Sequence, residues 1–284
     1  LLPIGTFGMT FFRHLMDVAS VMSLPRSERK IVFYSEGKSY WVHLEGILKE
    51  FLSQTNTPVC YVTSGKDDPG LHYKHPNLRS FKIDEGDWRN WFFKNIDTDL
   101  MVMTMPDIET YQIKRSKYPV HYVYVQHSIV SLHMIYRKSA FDHFDTVFCA
   151  GPHQVKEIRA IEEKYQLPEK TIIEHGYGRL DAIIENRKIS KAQPPNNPKK
   201  ILIAPSWGEH SLVETIGNQV VSHLLENKFH VILRPHPQTI KYAKVQIKEI
   251  LERHKNNSNF ELEVNIACQD SLHRSDLMIS DWSG

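Results

Sequence analysis

The chain has 284 residues, of which 41% are hydrophobic and 24% charged, with a formal net charge of +2. At about 100–200 residues per domain, this length predicts two domains, and the composition excludes wholesale disorder. The near-balanced charge and the lack of a dense basic block argue against a nucleic-acid partner, so any bound anion must be held by a local site.

Strands and helices alternate along the first part of the chain. Helical periodicity marks residues 41–52, and a further helix is predicted over residues 152–165. Short apolar runs predict strands at 31–35, 58–64, 99–104, 120–126, 144–150 and 171–175.

Residues 186–200 carry no apolar periodicity and contain Pro-Pro, Asn-Asn and Lys-Lys pairs, so they are predicted to form a linker. The alternation then restarts, with helices predicted at 211–227 and 239–254. Further strands are predicted at 200–205, 229–235, 260–264 and 276–280.

This alternation predicts an α/β fold with parallel sheets covered on both faces. We expect two Rossmann-like domains that face each other across a cleft, an N-terminal one over residues 1–188 and a C-terminal one over residues 189–284. The sequence does not begin with Met and stops just after a strand. It is therefore interpreted as a fragment with an incomplete C-terminal domain.

The three cysteines, Cys60, Cys149 and Cys268, form no CxxC pair. They are interpreted as reduced, buried thiols of a reducing, cytoplasmic compartment rather than as nucleophiles. No secretory signal is visible. The most apolar early stretch is interrupted by Arg13 and Asp17, which excludes a membrane span there.

Chemically distinctive residues recur just after the predicted strands, where open parallel sheets bind their ligands. They are His127; His175, Gly176, Gly178 and Arg179; Ser206 and Trp207; Arg234 and His236; and Ser280, Asp281, Ser283 and Gly284.

Two of these segments suit phosphate. In RPHP, prolines hold the backbone around His236, and Arg234 is a fork-shaped anion donor; the alternative is a rigid, solvated strand exit. In SDWSG, small residues would let backbone N–H groups approach an anion; the alternative is an ordinary helix N-cap.

His127 follows a buried strand and could act as a general base, or it could be a hydrogen-bonded structural histidine. Asp281 could bind a metal, but no DxD or HExxH pattern occurs, so no obligatory metal is expected. The absence of GxGxxG and GxSxG argues against a dinucleotide-dependent oxidoreductase and an α/β-hydrolase, and no cofactor is expected.

GYGRLD, APSW, RPHP and SDWSG occur in this order, and the chain from about His127 to Gly284 resembles the CDP-glycerol:poly(glycerol phosphate) glycerophosphotransferase family. This family comprises teichoic acid primases and polymerases, with relatives that build capsules. The resemblance implies a metal-independent GT-B transferase whose N-terminal domain binds the acceptor and whose C-terminal domain binds CDP-glycerol.

The resemblance also implies residue roles. His127 would be the base and His236 would contact the donor diphosphate. Donor-binding residues would be Arg179, Ser206, Trp207, Arg234, Ser280, Asp281, Ser283 and Gly284. The implied reaction is an in-line displacement in which the acceptor oxygen attacks the β-phosphorus and CMP leaves.

The chain departs from the family pattern at two places. Ser128 and Ile129 follow His127 where the family usually has Gly-Thr. Gly208 follows Trp207, whereas the family usually has an Arg shortly after this Trp. The donor therefore stays open between CDP-glycerol, CDP-ribitol and a nucleotide sugar. A GT-B glycosyltransferase or epimerase, and a non-catalytic donor-binding relative, are the alternatives.

Members of the family act on lipid-linked or polymeric acceptors, which implies peripheral contact with the inner face of the plasma membrane. Two apolar clusters could make that contact, or could pack on the N-terminal sheet instead. They are Phe11, Phe12, Leu15, Met16, Ala19 and Met22, and Trp88, Trp91, Phe92 and Phe93.

Overall fold

A computed structural model of the chain describes residues 15–189, 196–264 and 270–281. The chain divides into two compact units, Leu1–Leu180 and Asp181–Gly284. Each unit has its own parallel sheet, which confirms the predicted α/β class.

Unit 1 contains a seven-stranded parallel sheet of order β3-β2-β1-β4-β5-β6-β7. The strands are β1 (Ile31–Ser35), β2 (Val59–Thr63), β3 (Leu78–Lys82), β4 (Leu100–Met103), β5 (His121–Val125), β6 (Thr146–Cys149) and β7 (Thr171–Glu174). The helices are α1 (15–22), α2 (Lys38–Gln54), α3 (Asp87–Asn95), α4 (Leu132–Ile135), α5 (Pro152–Tyr165) and α6 (Gly178–Ile189), the last of which runs on into unit 2.

Both faces of this sheet are buried. Successive residues of a strand point to opposite faces, so Tyr34 joins one apolar cluster and Phe33 the other. Helix α2 covers the Phe33 face with Trp41, Leu44 and Leu48, which recur at helical spacing. The continuous apolar runs of the central strands follow from this two-sided burial.

A close backbone approach shapes the exit of β1. A Cβ atom on Gly65 would lie 2.5 Å from the Cα of Gly37, and Gly37 itself has a φ of +148°. Only glycine meets both requirements without strain. The turn that leads from β1 into α2 is therefore packed directly on the exit of β2.

The side chain of Asp68 connects the same two strand exits through hydrogen bonds. Its buried carboxylate accepts hydrogen bonds from Ser35 Oγ (2.8 Å), Thr63 Oγ1 (2.7 Å), Tyr61 Oη (3.0 Å) and the Gly70 backbone N–H (2.9 Å). These donors satisfy a carboxylate that would otherwise be costly to bury. They fix the carboxyl ends of β1 and β2.

Unit 2 contains a four-stranded parallel sheet of order β10-β9-β8-β11. Its strands are β8 (Lys200–Ile203), β9 (His230–Leu233), β10 (Phe260–Leu262) and β11 (Leu277–Ile279). Its helices are α7 (Leu212–Thr215), α8 (Gly217–Glu226), α9 (Pro237–Tyr242), α10 (Lys244–His254) and α11 (Asp270–Arg274).

Two predicted helices of unit 2 are each divided in two. Residues 211–227 form α7 and α8, which meet at Ile216 with φ −127° and ψ 12°. Residues 239–254 contain the end of α9 and all of α10, which meet at Ala243 with φ −107° and ψ 43°. The apolar periodicity of the sequence continues across both breaks, so the sequence pattern did not indicate where the helices end.

The linker predicted for residues 186–200 is shorter than expected. Helix α6 continues to Ile189, and residues 190–195 lie outside the described part of the chain. Arg187 and Lys188 are good helix formers, and the first proline comes only at residue 194. The boundary predicted at 188/189 and the division between the units both fall within α6.

The two apolar clusters that the sequence offered for membrane contact are only partly exposed in the part of the chain that the structure describes. Phe92 and Phe93 are fully buried in the core, whereas Trp91 is 45% exposed. In α1 the buried residues are Val18 and Val21; Phe11 and Phe12 lie outside the described residues. Within the described residues, no helix combines the length and the apolar character that crossing a bilayer requires.

Candidate functional site

The carboxyl edge of the unit 1 sheet has a topological switch point between β1 and β4, where the strand order changes direction. Open α/β sheets bind ligands at such points. The loops that follow β1, β4 and β5 therefore form the candidate site of this unit.

His127 lies two residues beyond the end of β5 and is surrounded by tyrosines. Its Nδ1 lies 3.0 Å from Tyr124 Oη, and its Nε2 lies 3.4 Å from Tyr136 Oη. Tyr177 Oη donates a 3.1 Å hydrogen bond to the His127 carbonyl oxygen. The ring of Tyr40 packs edge-on against the imidazole at 5.7 Å. His127 is thus fixed in both backbone and ring.

Burial lowers the pKa of His127 to about 4, although a hydrogen bond with the Thr104 backbone works in the opposite direction. A second imidazole, His43 of α2, lies with its ring centroid 6.0 Å from that of His127. Burial lowers the pKa of His43 to about 3, with further lowering from His127 and Arg179. Both rings are therefore neutral at neutral pH.

Arg179 lies beside this group. Burial raises the pKa of Tyr177, whereas the charge of Arg179 lowers it, and the Tyr177 ring packs 5.7 Å from that of His43. Of the other residues in the same predicted segment, His175 stacks on Phe148 at 5.4 Å. The structure thus brings Arg179 together with His127 and leaves His175 apart.

Four residues of this site were not predicted from the sequence. Glu36, Thr104 and Gln126 directly follow β1, β4 and β5, and His43 lies on α2. Each has at least one buried side-chain N or O atom without a hydrogen-bond partner among the described residues. For Glu36, Thr104 and Gln126 the position after a strand was the available signal, whereas the burial of all four side chains is a tertiary property.

In unit 2 the strand order changes direction between β8 and β11, and Ser206, Trp207, Ser280 and Asp281 follow these two strands. The Ser206 hydroxyl is buried without a partner among the described residues. The Trp207 side chain is 52% exposed. Ser283 and Gly284, also predicted to bind donor, lie outside the described residues.

Asp281 fastens the loop that follows β8. Its Oδ1 accepts from the Ser206 N–H at 2.6 Å, and its Oδ2 accepts from the Leu212 N–H at 3.0 Å. Burial alone would raise the pKa of Asp281, but these hydrogen bonds outweigh it and leave the pKa below its usual value. The neighbouring Ser280 hydroxyl donates to the Ala204 carbonyl at 2.8 Å. Asp281 and Ser280 therefore shape the loop that carries Ser206 and Trp207.

Gly208 marks one of the departures from the family pattern. It has a φ of +105°, a region that favours glycine, and its N–H donates to Glu214 Oε1 at 3.1 Å. The glycine thus forms a tight turn directly after Trp207.

His236 is the N-cap residue of α9. Its Nδ1 accepts a 3.1 Å hydrogen bond from the Gln238 N–H, and burial lowers the pKa of its ring. In the neutral ring the proton must then be on Nε2, which is a hydrogen-bond donor. The ring stacks on Trp207 at 6.1 Å, and Trp207 lies 6.4 Å from Tyr242.

Arg234 points toward groups within unit 2. Its Nη1 donates to Ser271 Oγ at 3.2 Å, and its Nε lies 4.0 Å from Glu263 Oε2. The side chain is only 8% exposed. The guanidinium predicted to bind an anion is therefore already paired with a carboxylate.

Neither a metal centre nor a thiol nucleophile is evident in the described residues. No group of three or more His, Cys, Asp or Glu side chains there is arranged to hold a metal ion. Cys60 and Cys149 are free and fully buried, as predicted, and Cys268 is outside the described residues. Burial raises the pKa of Cys60 to about 12 and that of Cys149 to about 11.

Residues 121–284 match the sequence profile of the CDP-Glycerol:Poly(glycerophosphate) glycerophosphotransferase family. The chain belongs to this family. The match begins at β5, includes His127, and runs through GYGRLD, APSW, RPHP and SDWSG. A search of curated proteins finds no significant match.

Solved structures of low sequence identity share the fold. The wall teichoic acid polymerase TagF, solved after a soak with CDPG, is 14% identical with a TM-score of 0.52, covering 100% of this chain and 75% of that one. UDP-GlcNAc 2-epimerase from Methanocaldococcus jannaschii is 14% identical with a TM-score of 0.55, covering 88% and 77%. S. aureus MnaA, solved with UDP, is 10% identical with a TM-score of 0.60, covering 89% and 74%. These similarities show the GT-B fold.

Proposed function

We propose that the protein transfers a glycerol-phosphate unit from CDP-glycerol to a hydroxyl of a lipid-linked or polymeric acceptor in cell-wall polymer synthesis. The family match over residues 121–284 carries this proposal. It includes His127 and His236, the two residues to which we assign the chemistry.

In unit 1, His127 would take the proton of the acceptor hydroxyl. The ring is neutral above about pH 4, so it can accept a proton. A base with so low a pKa is weak, but an anionic substrate nearby raises the pKa of an imidazole because it stabilises the charged form. Binding of an anionic substrate beside His127 would therefore strengthen the base when it is needed.

The acceptor oxygen would attack the β-phosphorus of the CDP-alcohol as the bond from that phosphorus to the bridging oxygen breaks. CMP leaves with the bridging oxygen, and the acceptor proton stays on His127. The Nε2–H of His236 would donate to the negative charge on the diphosphate. The exposed indole of Trp207, stacked on His236, offers an apolar face to the nucleotide.

Arg179 would bind a phosphate oxygen beside His127. Arg234 would act indirectly, by positioning His236. Its pairing with Glu263 and Ser271 fixes the segment that carries this histidine. Ser206, Ser280 and Asp281, with Ser283 and Gly284, would form the donor turn. The reaction is proposed to need no metal.

A nucleotide sugar is the second candidate donor, because the fold is shared with UDP-GlcNAc 2-epimerases. A non-catalytic donor-binding protein is the third candidate, because Ser128 and Gly208 depart from the family pattern.

The test is nucleotide release by the full-length protein with EDTA present and a lipid-linked acceptor supplied. CDP-glycerol, CDP-ribitol and UDP-GlcNAc are compared as donors. CMP release from a CDP-alcohol, lost in His127→Ala and His236→Ala, would support the proposal. His133→Ala and His210→Ala are matched controls, because their side chains are 63% and 79% exposed.

Each other outcome selects an alternative. UMP release alone would move the function to sugar chemistry. Binding of CDP-glycerol without release from any donor would favour the non-catalytic relative. Activity that appears only when EDTA is replaced by Mg²⁺ would contradict metal independence.

A further inference from the structure

Three neighbouring strands of the unit 1 sheet end in polar side chains that form no hydrogen bond with any residue that the structure describes. Glu36 follows β1, Thr104 follows β4 and Gln126 follows β5, and these strands are adjacent in the order β1-β4-β5. Glu36 Oε2, Thr104 Oγ1 and both amide atoms of Gln126 are buried with no hydrogen-bond partner among the residues that the structure describes.

Such atoms are unusual in a folded protein. Thr104 is 0% exposed and Gln126 is 4% exposed. A buried polar group that forms no hydrogen bond is costly, and folded proteins contain only a few. Molecules that enter the site can supply the partners that the described residues do not, water in the free protein and ligand in a complex. Three adjacent positions at one switch point indicate a binding site rather than scattered defects.

These residues adjoin His127. Gln126 precedes it in the chain, and the Thr104 backbone is close enough to the His127 ring to raise the pKa of that ring. Glu36 lies within electrostatic reach of Tyr40 and Tyr136, whose rings both pack against the imidazole. His43, whose ring also contacts that of His127, has an Nδ1 atom without a partner among the described residues.

We propose that Glu36, His43, Thr104 and Gln126 form a cradle that binds the hydroxyl groups of the acceptor and orients one of them toward His127. The inference rests on the proposed function and deepens it, because it names the residues that would select the acceptor. The cradle is defined by these four side chains.

The chemistry of the cradle fits a polyol. The amide of Gln126 and the hydroxyl of Thr104 each donate and accept, as a hydroxyl does. Burial raises the pKa of Glu36 to about 7, against a lowering by Arg89, and Glu85 adds to the rise. At neutral pH, Glu36 can therefore both accept and donate. An uncharged glycerol, ribitol or sugar end suits this set better than a phosphate, which would lie beside a carboxyl.

The experiment uses two substitutions that preserve side-chain volume, Thr104→Val and Gln126→Leu, in the full-length protein. The acceptor KM is measured with a lipid-linked glycerol-phosphate acceptor and with the same acceptor ending in 1,3-propanediol phosphate, which lacks the secondary hydroxyl. We expect each variant to raise the KM of the glycerol acceptor by about 3- to 10-fold, the effect of one or two lost uncharged hydrogen bonds.

Three readouts separate binding from a structural role. The variants should lose the wild-type preference for glycerol over 1,3-propanediol, keep the KM for CDP-glycerol, and keep or raise Tm. Gln219→Leu, an exposed glutamine of α8, is the control and should match wild type. An unchanged acceptor KM with a lowered Tm would overturn the cradle.

A binding measurement keeps this test separate from the transferase reaction. Saturation-transfer NMR with glycerol and ribitol reports binding without turnover. Polyol binding that Gln126→Leu abolishes, in a protein that releases no CMP, would support the cradle and refute the transfer reaction. CMP release with the same acceptor KM in wild type and variants would support the transfer reaction and refute the cradle.

Discussion

Acidification should destabilise unit 1 through histidines that are buried in the neutral form. Burial lowers the folded-state pKa of His127 to about 4, against an ordinary value of 6.5. The unfolded state therefore binds more protons between these values, and the free energy of unfolding falls as the pH falls from 6.5 toward 4. At pH 5 this amounts to about 2 kcal/mol, and His43, with a pKa of about 3, contributes a similar amount.

Glu36 acts in the opposite direction. Burial raises its pKa from 4.5 to about 7, so between these values the folded state binds more protons than the unfolded state. The group therefore adds stability as the pH falls through this range. Because the two effects overlap, the difference between a histidine variant and wild type is informative, whereas the slope of wild type alone is not.

The assay is amide hydrogen exchange in β4 and β5, which reports the opening of unit 1 separately from unit 2. Wild type, His127→Gln and the exposed control His133→Gln are compared at pH 7.5 and pH 5, after correction for intrinsic exchange rates. His127→Gln should lose about 2 kcal/mol less than wild type on acidification, and His133→Gln should behave as wild type. Equal losses in all three proteins would refute the argument that His127 is held neutral by burial.

Three further predictions concern other parts of the fold. Asp281→Ala should lower the stability of unit 2 by about 2 kcal/mol because two charge-assisted hydrogen bonds are lost, with about half that loss in Asp281→Asn; equal unfolding midpoints in denaturant would contradict this. Gly65→Ala should cost about 1–3 kcal/mol, because its Cβ would lie 2.5 Å from the Gly37 Cα, and an unchanged Tm would contradict that contact. In the native protein, the buried Cys60 and Cys149 should not react with a thiol reagent. A variant with both replaced by Ala should therefore be labelled at the same rate as wild type, and slower labelling of the variant would contradict this.

Much of the fold could be predicted from the sequence, because local pattern and tertiary burial agree there. The strand predicted at 31–35 is β1, and the helix predicted at 152–165 is α5. Strand β3 was not assigned, since at the edge of the sheet it is only partly buried and its pattern is weak. The breaks at Ile216 and Ala243 were missed because a change of helix direction leaves the apolar spacing intact.

The site was only partly predictable. Position after a strand singled out His127 and His236, and the structure gives both a defined hydrogen-bonding environment. The same position did not distinguish Thr104 or Gln126 from ordinary turn residues. Their burial without a hydrogen-bond partner among the described residues is a property of the folded chain. The sequence offered helix capping as the alternative role for the SDWSG segment. Asp281 does accept a hydrogen bond from the first residue of a helix, but that helix is α7, which is distant in the sequence. Its role in donor binding stays a prediction.

The buried carboxylate of Asp68 has a consequence for spectroscopy. The hydroxyl protons of Ser35, Thr63 and Tyr61 are directed at it and are shielded from solvent. Hydroxyl protons normally exchange with water too fast to be observed, but these three should exchange slowly enough to give separate proton resonances. Their chemical shifts would report the exit of β1, and thus the placement of Glu36, in a protein that is not turning over.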